Sequence, residues 1–381
     1  MTTQTLQEHL LYGLTLVGRA VPKHTSLPIL STICFTIEDN QLRLAATNLE
    51  LAIAHRIAVQ PNGDGNWALA VPAANLVDLV KTLPPETVHL QPGEDQLALT
   101  CGSAQAQFQT FDAADFPTLA DPDTAETITT LRAGDLARAL RHVTLASSDD
   151  ASHTVLSGIR LRVDHNNTLI LDAADGFRLA QYHAPIGDCI KESTLIVPGS
   201  ALAELCRILT KVDPEMDVTL STTHAGNRVH IHLGDTLVSA ALVDGNYPDL
   251  DRIIPEAYTT RAIVTRTTLL QAVDRARIFA RDHGKLVKLA VDPGAMFALV
   301  VAAEADAGGQ GETQLTATVK GDALELYCNV DFLREQLKAM DVANVILDFE
   351  QPLKPFALYG EDDAAFKSVI MPMHTGRQQA D

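Results

Sequence analysis

Apolar residues return at intervals of three and four in three well-separated stretches of the chain. Leu6, Leu10, Leu14 and Val17 form the first stripe; Leu136, Leu140, Val143 and Leu145 the second; Leu269, Leu270, Val273, Ala276 and Ile278 the third. Such spacing gathers the apolar side chains on one helical face, so each stretch predicts an amphipathic helix. Thr5, Asp135 and Thr267 or Thr268 stand where N-caps belong. A second helix is expected in each third: Ala73–Leu83 after Val71-Pro72, about Ser200–Lys211 after Val197-Pro198, and Val330–Met340 after Asn329. Proline suits a helix entry because its missing N–H has no intrahelical partner there.

Between the helices the period drops to two. The stretch Leu169–Ala180, LILDAADGFRLA, reads as strand, turn, strand, with Asp175-Gly176 supplying the turn. Leu42–Ala52 repeats the design with Asn48 in place of Asp175, and Phe297–Asp306 is a weaker echo. Phe116-Pro117 and Tyr247-Pro248 close two corresponding segments, each followed by an acidic connector, and the third segment closes with Val369–Met373. The pattern predicts three copies of one α+β unit, each with two helices packed on antiparallel sheet. Boundaries fall near 124 and 256, giving units 1–124, 125–255 and 256–381.

Composition narrows the class. A chain of 381 residues with 46% hydrophobic and 20% charged residues is that of a folded globular protein. No apolar run reaches the roughly 18 residues of a membrane-spanning helix, and the N-terminus lacks a secretory pattern. The five cysteines are scattered without CxxC spacing, which fits reduced thiols in a cytosol.

A net charge of −19 argues against phosphate contact over the whole surface. Its distribution changes the picture. Leu136–Ala146 carries Arg138 and Arg141 and no acid; Ala201–Val212 carries Arg207 and Lys211 against Glu204. Leu269–Lys288 carries Arg275, Arg277, Arg281, Lys285 and Lys288 against Asp274 and Asp282. Lys23 and His24 follow the first helix. Solvated helix faces would look like this; so would a basic surface that meets a polyanion without reading bases.

Enzyme chemistry finds little footing. His230 and His232 share a strand face near His224, but no third metal ligand is in register. Gly308–Glu312 reads as a loop between strands and lacks the Lys-Ser/Thr of a phosphate loop. No GxSxG or HExxH motif occurs. No cofactor is expected.

Six short motifs then fall in order: Leu27–Leu30, Thr47–Glu50, Ala113–Pro117, Asp175–Leu179, Val243–Asp249 and Val369–Met373. With these the chain resembles the bacterial sliding-clamp family, the beta subunits of DNA polymerase III, over about residues 1–375. The resemblance implies two chains paired head to tail in a six-domain ring, with helices lining a hole around duplex DNA. Such a ring tethers a polymerase and has no active site. Implied partners are the polymerase III catalytic subunit and the clamp loader. Translesion polymerases, mismatch-repair proteins and ligase would bind through short peptides with a Gln and large apolar residues. No membrane partner is implied, and the location would be cytoplasmic, on the nucleoid.

Positions matching the family's peptide groove are Leu156, Ala174, Gly176, Phe177, Arg178, Leu179, Pro248, Arg252, Ile253, Asn329, Phe332, Leu353, Pro355, Val369, Ile370, Met371, Pro372 and Met373. Implied DNA contacts are Lys23, His24, Arg138, Arg141, His153, Arg207, Lys211 and Arg277; implied dimer contacts are Ala106, Phe108, Ile278 and Phe279. The chain departs from the family pattern at Ala174, where Thr is usual, and at Phe177, where His is usual, which makes the groove more apolar. It also has His24 for Arg, Ala74, Gly199 and Ser200 for basic residues, a small Ala106, and a polar tail Gly376–Asp381. These losses keep open a second reading, a protein-binding paralogue that does not encircle DNA.

Overall fold

The computed structural model describes residues 2–62, 66–119, 125–148, 150, 155–281, 284–306 and 308–374. Every α-helix among them starts at the residue after a strand. Helix α1 (Gln7–Val17) follows Thr2–Leu6, α2 (Ala73–Thr82) follows Trp67–Pro72, and α3 (Ala133–Val143) follows Glu126–Arg132. Helix α4 (Gly199–Leu209) follows Ser193–Pro198, α5 (Arg266–Ala280) follows Thr260–Thr265, and α6 (Val330–Ala339) follows Leu324–Asn329. These are the six helices that the periodicity predicts, within a few residues except at the end of α5.

The expected caps are not where the helices begin. Thr5 lies on a strand, Asp135 sits inside the first turn of α3, and Thr267 and Thr268 sit inside α5. A backbone group does the work instead. The first helical N–H donates to a loop carbonyl in all three repeats: Gln7 to Glu86 at 3.0 Å, Ala133 to Met216 at 2.9 Å, Arg266 to Ala343 at 3.0 Å. That bond satisfies one of the four N–H groups that a helix start leaves unpaired. The identical bond at corresponding places is independent support for the threefold repeat. Asn329 does cap α6, its Oδ1 accepting from Asp331 N–H at 2.9 Å.

The helix stripes are buried as their spacing requires, through Leu10, Leu14 and Val17, through Leu136, Leu140 and Val143, and through Leu269, Val273 and Ala276. Two stripe members are exposed: Leu6, at 44%, lies on the strand before α1, and Ile278 is 61% exposed on α5. Ile278 lies two residues beyond Ala276, about 200° round the helix, and so faces away from the core. Helix α5 also stops sooner than its charge pattern suggested. Lys285 stands in a turn at φ 59° and Lys288 is on the strand Leu286–Val291, so neither belongs to a basic helix face. Gly309–Leu315 is a strand, not a loop. Its glycines leave room for a ring, since a Cβ on Gly311 would collide with Phe279.

The strand pairings among the described residues are antiparallel, and the strands of each repeat divide between two sheets. The chain forms two compact units, the first of Met1–Gly134, Ile186–Glu192 and Glu204–Leu242, the second of Asp135–Pro185, Ser193–Ala203 and Val243–Asp381. In the first, an eight-stranded sheet joins first-repeat strands to central-repeat strands, Leu51–Ala58 pairing with Thr236–Ala241 from Thr236↔His55 to Ala240↔Leu51. In the second, a nine-stranded sheet makes the corresponding join, Arg178–Pro185 pairing with Asp363–Ile370 from Arg178↔Ile370 to Tyr182↔Phe366.

Phe297–Asp306 holds the single strand Leu299–Ala305, and the other two predicted hairpin turns are twins. Asp175 Oδ1 accepts from Phe177 N–H and Arg178 N–H, both at 2.9 Å. Asn48 Oδ1 accepts from Glu50 N–H at 3.1 Å and Leu51 N–H at 2.7 Å. The next residue is left-handed in both, Gly176 at φ 88° and Leu49 at φ 79°. Leucine is strained there, so the Asn48 side chain must hold the turn. Asn48→Ala is expected to lower stability by about 1–2 kcal/mol, and adding Leu49→Gly should recover part of it; thermal unfolding of the two variants checks this.

Candidate peptide groove and nucleic-acid surface

Several of the candidate groove residues come together in the second unit. Leu179 and Val369 are register partners, and with Ala174 and Leu250 they form a buried cluster against which Tyr247 and Ile254 pack. Ile370, paired with Arg178, is buried as well. These side chains are a floor. The rim is apolar and open: Phe177 is 63% exposed, and Ile253, Leu353 and Met371 are exposed too. Met371 N–H donates to Phe177 C=O at 2.8 Å, and Met373 N–H to Tyr327 C=O at 2.7 Å, which fixes the closing segment Met371–Met373 beside the turn and the strand before α6. Leu156, Pro355, Pro372 and Met373 are half-buried, and Pro248 and Arg252 are exposed.

The polar members are largely engaged within the chain. Arg178 Nε donates to Asp175 Oδ2 at 2.9 Å and Nη1 to Glu335 Oε2 at 2.6 Å, while its guanidinium lies 4.3 Å from the centre of the Phe332 ring. A guanidinium held by two carboxylates and a ring is a brace between the turn and α6, not a free hand for a peptide. Asn329 has committed its oxygen to the α6 cap. Arg252 pairs with Asp249, three residues before it, at 2.9 Å, and both are well exposed.

Behind the rim stands a buried polar cluster that sequence reading missed. Asp172, fully buried, accepts from Arg160 Nε at 2.9 Å, Arg162 Nε at 3.1 Å and Gln181 Nε2 at 2.8 Å. The Tyr247 hydroxyl donates to the carbonyls of Gly158 and Asp172 at 3.2 and 3.3 Å, and burial pushes its pKa up.

The basic residues are less uniform than their charges suggest. Lys23, His24, Arg138, Arg141, Arg207 and Lys211 are exposed. Arg138 lies 3.7 Å from Asp135, and Arg207 is bonded to Glu204, which also takes Arg19 at 3.0 Å. Arg277 is turned to Asp331 at 2.5 Å, where Lys285 joins it at 3.0 Å. That acid raises the Arg277 pKa through its hydrogen bond and is shared between Arg277 and Lys285. His153 lies outside the described residues.

Sequence profiles of the DNA polymerase III beta subunit match almost the whole chain: the N-terminal domain over residues 1–120, the central domain over 130–249 and the C-terminal domain over 251–374. The chain belongs to the DNA polymerase III beta-subunit family, the beta sliding clamps. A curated beta sliding clamp of Staphylococcus epidermidis is 27% identical over 364 residues, 94% of this chain and 95% of that protein. The DNA polymerase III beta subunit of Pseudomonas aeruginosa superposes with TM-score 0.89 at 25% identity, over 98% of this chain and 100% of that one. The beta subunit of Thermotoga maritima shares the fold, with TM-score 0.90 at 22% identity, over 98% of this chain and 100% of that one. The function is therefore that of a DNA sliding clamp, which tethers a polymerase to its template.

In this sliding clamp the expected dimer residues sit at an open edge and on a helix face. Ala104–Gln109 is the last strand of a five-stranded sheet and, among the described residues, pairs on one side only, with Gln96–Cys101. Ala106 and Phe108 lie on its half-buried face. Ile278 is exposed, and Phe279 is half-buried against Gly309 and Gly311. No group of three or more His, Cys, Asp or Glu among the described residues could hold a metal ion. His230 is fully buried, and His224 is bound at 3.3 Å to Glu126. No helix among the described residues is long and apolar enough to cross a membrane.

Proposed function

We propose that two copies of this chain close into a ring around duplex DNA and that the groove at Phe177 and Met371 recruits the proteins that work there. The observation that carries the reading is the match of all three clamp domains, in order, from residue 1 to residue 374. The three domains divide near 124 and 256. An unpaired strand edge seeks a partner, and Ala104–Gln109 supplies one with Phe108 beside it, while Ile278 offers an exposed apolar contact. Exposed Lys23, Arg138, Arg141 and Lys211 meet phosphates without reading bases, as sliding needs. The clamp is non-catalytic and takes no cofactor; it works on the nucleoid. Its partners are the polymerase III catalytic subunit, the clamp loader, and repair and translesion proteins that carry a short peptide with a Gln and large apolar residues.

Two measurements test this. Light scattering over a dilution series should give a species near twice 41.0 kDa, and clamps loaded on nicked circular DNA should be lost when the circle is cut. A monomer at every concentration overturns the ring. For the groove, Phe177→Ala with Met371→Ala removes exposed rim without touching the floor and should weaken a dye-labelled peptide of one Gln with Leu and Phe by about a hundredfold, roughly 2.7 kcal/mol. Leu179→Ala is unsuitable, because Leu179 is core and its loss would leave a cavity. Unchanged peptide affinity in the rim variant removes the groove assignment.

A further inference from the structure

The rim segment Pro248–Ile253 has little structure of its own. Its only regular element is a single 3-10 turn, Leu250–Arg252, whose backbone bond is Ile253 N–H to Leu250 C=O at 3.0 Å. Yet it presents Pro248, Arg252 and Ile253, three exposed members of the candidate groove set, on either side of buried Leu250. Three anchors tie it to the sheet beneath: the Tyr247 hydroxyl on Gly158 and Asp172, Leu250 in the floor cluster, and Asp251.

Asp251 is the polar anchor. Arg162 reaches it with two nitrogens, Nη1 to Oδ2 at 3.0 Å and Nη2 to Oδ1 at 3.1 Å, and Gln181 Nε2 adds 2.8 Å to Oδ1. Burial by itself would raise the Asp251 carboxyl; the hydrogen bonds from Arg162 and Gln181 outweigh it and hold the group below the usual carboxylate range. Arg162 and Gln181 are fixed in turn by buried Asp172, which Arg160 also braces. The chain of contacts thus runs from the interior of the sheet to the rim. A bidentate guanidinium–carboxylate pair sets direction as well as distance.

We propose that Asp251 is a positioning residue for the peptide groove: through Arg162 and Gln181 it holds the Pro248–Ile253 wall in its binding-ready place. The proposal rests on the groove reading above. Binding to a fixed wall avoids the entropy of ordering it with each partner. An ion pair half in water adds little to global stability, so the effect belongs to binding.

The test uses the full chain and the same dye-labelled peptide of one Gln with Leu and Phe. Asp251→Ala should weaken binding about tenfold, with hydrogen exchange of residues 249–254 accelerated and the thermal midpoint near the parent's. Asp251→Glu, which keeps the carboxylate, should recover part of the affinity. Phe177→Ala is the control. If Phe177→Ala weakens the peptide and Asp251→Ala does not, the positioning role is overturned while the groove stands. If neither does, the groove reading itself fails, and the positioning role with it. A large drop in the midpoint of Asp251→Ala would make the residue a structural one and overturn the proposal equally.

Discussion

Asp172→Ala is expected to lower folding stability by about 3–5 kcal/mol. Native domains stand only about 5–15 kcal/mol above their unfolded state, so the variant should unfold at a much lower denaturant concentration. The reason is not the loss of three hydrogen bonds alone. Arg160 is nearly buried and one of its terminal nitrogens already lacks a partner. Removing Asp172 leaves that guanidinium inside the sheet without the carboxylate that bonds it, and Arg162 and Gln181 lose their inner support. Asp251→Ala, at the wet end of the same chain of contacts, should cost far less. A loss below about 1 kcal/mol for Asp172→Ala would mean that Arg160 finds water or another acceptor, since an unpaired buried charge costs several times that.

The second large effect is on pH dependence. His230 is fully buried between Ser221 and Ser239 on the neighbouring strands, and neither ring nitrogen has a hydrogen-bond partner. Burial first, then the charges of His232 and Arg228, push its pKa down from 6.5 to about 4. The unfolded chain takes up a proton at this residue below pH 6.5, and the folded one does not until about pH 4. The stability this neutral histidine allows is therefore complete above its unfolded pKa and falls away as pH drops through that window, by about 2 kcal/mol at pH 5. His55 and His142 are lowered by burial too and act in the same direction. His230→Leu should flatten the decline of the thermal midpoint between pH 7 and 5. An unchanged slope would place the acid sensitivity elsewhere.

Much of the fold could be read from the chain, and what could be read was local. The buried faces of α1 and α3 show as apolar intervals because a helix repeats every 3.6 residues. The twin turns show because Asp175 and Asn48 bond backbone groups two and three residues on. What stayed hidden depends on partners far along the sequence. The helix starts at Gln7, Ala133 and Arg266 are capped by carbonyls of Glu86, Met216 and Ala343, which no local motif announces. Asp172 looks like the outward position of an alternating strand, but Arg160, Arg162 and Gln181 converge on it. In the candidate site the same limit applies. The sequence put Phe177, Leu179, Val369, Ile370 and Met371 in one candidate set without separating them; Phe177 and Met371 are exposed, whereas Leu179, Val369 and Ile370 are buried. Arg178 and Arg277 read as free charges on paper, whereas in the fold they pair with Asp175, Glu335 and Asp331.

The sharing of the central repeat between two sheets governs how the chain is made. Thr236–Ala241 must pair with Leu51–Ala58, so the eight-stranded sheet cannot close until residue 241 has left the ribosome. Until then the first repeat waits with an exposed strand edge, and a second edge waits at Arg178–Pro185 for Asp363–Ile370. Pairings of such long sequence separation form slowly, and open edges invite association with other chains. Both edges are open while residues 186–241 are being made, so nascent chains are expected to be most aggregation-prone in that interval, and the burden on chaperones should fall on chains truncated within the central repeat.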